Sequence, residues 1–124
     1  MALTEVELRT ALTVFNYAER LKADLIIAWS LMEVLRGIRE GAELAGAEKI
    51  LIAYFNALIS EVNVAANASR VEEFRRIATS LERVVDCVRR RDPTTAQRLI
   101  SEAISMATTQ GDWAARKLVE KNLI

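Results

Sequence analysis

Eight apolar residues near the N-terminus, Ala11, Val14, Ala18, Leu21, Leu25, Ala28, Met32 and Leu35, follow one another at alternating intervals of three and four. No glycine or proline interrupts the chain between Glu5 and Arg36. This spacing matches the turn of an α-helix, so the eight side chains form one stripe that other helices must cover. Thr4-Glu5-Val6-Glu7 has the form of a capping box and sets the helix start. The pattern predicts one helix from Thr4 to about Glu40, roughly 50 Å long at 1.5 Å per residue. The alternative is a break at Lys22-Ala23-Asp24, with Asp24 capping a second helix. The stripe keeps its phase across that point, which favours continuity.

The rest of the chain reads the same way. There is no useful period-two alternation, and 19 alanines favour helix throughout. The expectation is an all-α, single-domain bundle of about five helices over residues 1–124. Gly37, Gly41 and Gly46 weaken the first helix in succession and place the first turn between Gly41 and Gly46. A second helix runs to about Ala66, with Leu44, Leu51, Phe55, Leu58, Val62 and Ala65 on its apolar face. Ser69-Arg70-Val71-Glu72 repeats the capping-box spacing and opens a third, along which Phe74, Ile77, Leu81, Val84 and Val88 recur. Asp92-Pro93 ends it near Arg91 and caps a fourth. Gly111 then reads as the residue that terminates the fourth helix, with Asp112 capping a short fifth that bears Trp113, Leu118 and Val119.

Composition removes many chemistries. The 124 residues contain no histidine, so hydrolase triads, Cys/His zinc sites, HExxH proteases and Glu-x-x-His di-iron bundles cannot be built. The four glycines form neither of the common phosphate-binding loops. Glu40-Gly41-Ala42-Glu43 is an ExxE element, and Glu82 and Asp86 follow as a second acidic pair. These four residues resemble the magnesium ligands of nucleoside triphosphate pyrophosphatases of the MazG type. The second element here is ExxxD rather than ExxD, the gap is too long, and the first lies in a glycine-rich turn. No metal, cofactor or catalytic residue is assigned.

Seventeen basic and seventeen acidic side chains give zero net charge, so no whole-molecule field steers the chain to nucleic acid or an acidic membrane. The apolar stretches Leu25–Leu35 and Ile50–Ile59 fall short of a spanning helix, and no membrane partner is expected. The lone Cys87 and the absence of a leader-like start point to a reducing cytoplasm, where the Asn67-Ala68-Ser69 sequon carries no sugar. Cys87 itself reads as a small buried hydrophobe.

Two functions suit what remains. Leu25–Leu35 is apolar around most of its circumference, more than one bundle face can bury, which predicts a homodimer or larger homo-oligomer through Leu25, Trp29, Met32 and Leu35. The protein then serves as a non-enzymatic accessory or scaffold subunit acting by protein contacts. The alternative is nucleic-acid association through the arginine-rich third helix, by Arg76, Arg83, Arg89, Arg90 and Arg91. In size and class the chain resembles the small all-helical subunits of CRISPR effector complexes, which implies scattered basic contacts to nucleic acid. The same cations also complement the C-terminal end of a helix without any ligand.

Overall fold

The computed structural model describes residues 4–121. Among these residues there are four helices and no strand: α1 (Glu5–Gly37), α2 (Ala42–Ser69), α3 (Glu72–Arg89) and α4 (Pro93–Glu120). Each helix packs on its neighbour in the chain, α4 closes back onto α1, and the diagonal pairs do not approach. Short turns at 38–41, 70–71 and 90–92 make neighbours antiparallel, so the chain runs up and down around one core.

α1 begins as its sequence dictates. The Thr4 hydroxyl accepts from the Glu7 amide at 3.1 Å, and the Thr4 amide donates to the Glu7 carboxylate at 2.9 Å. The helix passes through Asp24 without a break and all eight stripe residues are buried. It stops at Gly37, ahead of Glu40, because Ile38 is extended. The first turn therefore precedes the Gly41–Gly46 interval. Gly41 sits at φ 96°, a conformation that favours glycine, and starts α2, while Gly46 lies inside that helix.

Two further boundaries differ from expectation. α2 extends to Ser69, whose hydroxyl donates to the Ala65 carbonyl at 2.7 Å and accepts from the Val71 amide at 3.2 Å. Ser69 thus closes α2 instead of opening α3, whose N-cap, Val71, has no side-chain bond. The reversal is made by Arg70 in the left-handed region, φ 59°, where a glycine would have been legible. α3 ends at Arg89, and Arg91 repeats the left-handed turn at φ 57°. The Asp92 amide then donates back to the Cys87 carbonyl at 2.9 Å.

The predicted fifth helix does not form. α4 runs without interruption through Gly111, which is buried against α1: a Cβ there would lie 3.4 Å from both the Ala18 Cβ and a Glu19 carboxylate oxygen. Gly111 is an interior residue of α4 in the α1–α4 seam, not its terminator. At its start α4 follows expectation, with Pro93 in the first turn and the Asp92 carboxylate accepting from the Thr95 amide at 3.2 Å. These bonds to Thr95 hold the Asp92 carboxyl below the usual carboxylate range.

Candidate interaction surface

The oligomer contacts expected from the sequence fall in two places. Leu25 and Met32 are fully buried and Leu35 nearly so, all within the core of the single chain. They cannot also meet a second molecule while that core is intact. Trp29 is partly exposed, but it lies two residues, about 200°, from both Ile27 and Leu31 and so faces the α4 flank. The stripe at three-four spacing closes the bundle. The apolar excess lies beside it.

That excess is concentrated on one flank of α1 and the facing part of α2. Val34 is 65% exposed, Ile27 51%, Ile26 50% and Leu31 37%, and on α2 Ile50 is 75% exposed. Between Ala23 and Ile38 this flank carries Ala23, Ile26, Ile27, Ser30, Leu31, Val34, Gly37 and Ile38, bordered by the charged Asp24 and Glu33. Ser30 returns its hydroxyl to the Ile26 carbonyl at 3.2 Å, so its hydrogen bond is made within the helix. Gly46, Ala53 and Ala57 lie exposed around Ile50 on α2, with the exposed Lys49 beside them. Charges nearby on α1, including Lys22, Glu33 and Arg36, lie toward α4 instead. Glu33 accepts from the side-chain Nε2 of Gln97 at 2.6 Å, and Arg36 donates to the Oε1 of the same side chain at 3.0 Å.

The face is concave. α1 and α2 are the most sparsely packed neighbouring pair in the bundle, and between them runs a groove of about 240 Å³ lined by Leu31, Val34, Leu35, Ile38, Ala47, Ile50, Leu51 and Tyr54. α2 is also long and apolar enough, by length and composition, to cross a membrane. In the bundle it contributes Leu44, Leu51, Phe55, Leu58, Val62, Ala65 and Ala66 to the core.

At its far end the groove meets polar groups. The Tyr54 hydroxyl donates to the Asp24 carbonyl at 2.8 Å, and Arg20 donates to Glu61 at 3.1 Å across the same seam. Partial burial, and then Glu61, push the Asp24 carboxyl above the usual range, while Arg20 pulls weakly the other way. Burial and these two carboxylates also raise the Tyr54 phenol.

The arginines of the third helix are dispersed. Arg76 and Arg83 are exposed on its outer surface. Arg89 pairs with Asp86 at 3.8 Å, and Arg90 reaches the Cys87 sulfur at 3.7 Å. Arg91 grips Glu48 of α2 through Nε and Nη2 at 3.2 and 3.3 Å. The triplet is therefore divided among three directions, as successive 100° steps require, and two of its members are engaged by carboxylates. Arg76, Arg83 and Arg90 share a row at seven-residue spacing, interleaved with the acidic residues Glu72 and Asp86.

The acidic elements are likewise separated. Glu40 and Glu43 lie at the α1–α2 turn and Glu82 and Asp86 on the exposed side of α3. Among the described residues no group of three or more carboxylate or thiol side chains is placed to hold a metal ion. Cys87 is buried beside Val84 and Val88. The sequence reading missed Ile26, Ile27, Val34 and Ile50. The signal for them was available: once the three-four stripe is assigned to the core, large apolar residues off that stripe are surplus. No protein-family model, curated protein or solved structure matches the chain.

Proposed function

We propose that this protein is a non-catalytic helical accessory or scaffold subunit that works by protein–protein contact, and that the α1–α2 face is its contact surface. The observation that carries this reading is the largely apolar, partly concave surface between α1 and α2, with five large aliphatic side chains exposed on it. A soluble monomer gains nothing from such a patch, which invites aggregation unless a partner covers it. A reducing, cytoplasmic setting suits the single buried thiol.

The absence of histidine and the dispersal of the acidic side chains support the non-catalytic part of the reading. The nucleic-acid alternative draws its support from the row Arg76, Arg83 and Arg90, and loses strength through the pairing of Arg89 and Arg91 with carboxylates. The test is a photoreactive phenylalanine analogue placed at Val34 in the cell of origin, with Arg83 as the control position. Covalent adducts with protein at position 34 and not at 83 are expected. A face that forms no protein adduct overturns the proposal.

A further inference from the structure

We draw no further inference here: the strongest candidate, the apolar groove between α1 and α2, is an unpartnered face, and nothing in the structure shows what covers it.

Discussion

α1 has two flanks, and they are packed in opposite ways. Toward α4 it meets small residues: Gly111 lies against Ala18 with room for little more than a methyl group, and Ala103, Ala107 and Ala114 of α4 are fully buried. This is the most closely packed pair of helices in the bundle. Toward α2 the same helix presents Ile27, Leu31 and Val34, the facing helix presents Ile50 and Tyr54, and a groove remains between them. Small residues let helix axes approach until backbones nearly touch, whereas bulky, branched ones set a larger spacing and leave surface uncovered unless they interlock. A helix that is apolar nearly all round therefore need not be buried all round. One flank completes the fold, and the other leaves large aliphatic side chains exposed.

The sharpest break in this contrast uses adjacent residues. Leu25→Ala removes a fully buried side chain and should cost about 2–5 kcal/mol. Ile26→Ala, one residue on and half exposed, should change protomer stability by less than about 0.5 kcal/mol. Urea unfolding at concentrations where the protein is a single species measures both, and similar losses would mean that the flank is part of the core.

Gly111 probes the tight seam. Gly111→Leu overpacks it and should cost about 1–3 kcal/mol. Gly111→Ala places its Cβ in ordinary contact and should gain up to about 1 kcal/mol of helix propensity. Stability that is indifferent to leucine would show the α1–α4 seam to be as open as the α1–α2 seam.

Asp24 probes the loose seam through pH. Its carboxyl holds a proton more tightly in the fold than in the unfolded chain, chiefly through burial and then through Glu61. The stability linked to that proton is fully present below the ordinary value of 3.8 and is lost as pH rises through the raised folded value. Asp24→Asn should therefore raise the melting temperature at pH 7, and the advantage should shrink as the pH approaches 4. An equal effect at both values would point to packing rather than charge.

The smallest change is expected on the opposite side of the bundle. Arg76→Gln combined with Arg83→Gln should alter stability by less than about 0.5 kcal/mol and leave protein adducts at Val34 unchanged. Loss of binding to a nucleic-acid duplex in the same variant, with a flatter salt dependence, would favour the arginine-row alternative instead.

Most of the architecture was legible. The Thr4–Glu7 capping box, the continuous stripe through Asp24 and the Asp92-Pro93 junction follow from local chemistry that little else in the chain opposes. The errors share a physical origin. Arg70 and Arg91 turn the chain at positive φ without the glycine that normally marks such a turn, so Ser69 was taken for the start of α3. Gly111 carries the usual mark of a helix end, yet its role is set by Ala18 on a distant helix, which no local pattern contains. Of the four residues expected at an oligomer interface, Leu25, Met32 and Leu35 lie in the core. Leu25, Met32 and Leu35 are the regular members of the stripe, and regularity signals core; the surface lies on the irregular members, about a third of a turn or more away.

Photo-crosslinking from position 34 in the cell of origin addresses the open flank of α1 most directly. Covalent adducts with protein should form from the analogue at Val34 and not from the control at Arg83. A position 34 that forms no protein adduct would contradict a contact surface on the α1–α2 face.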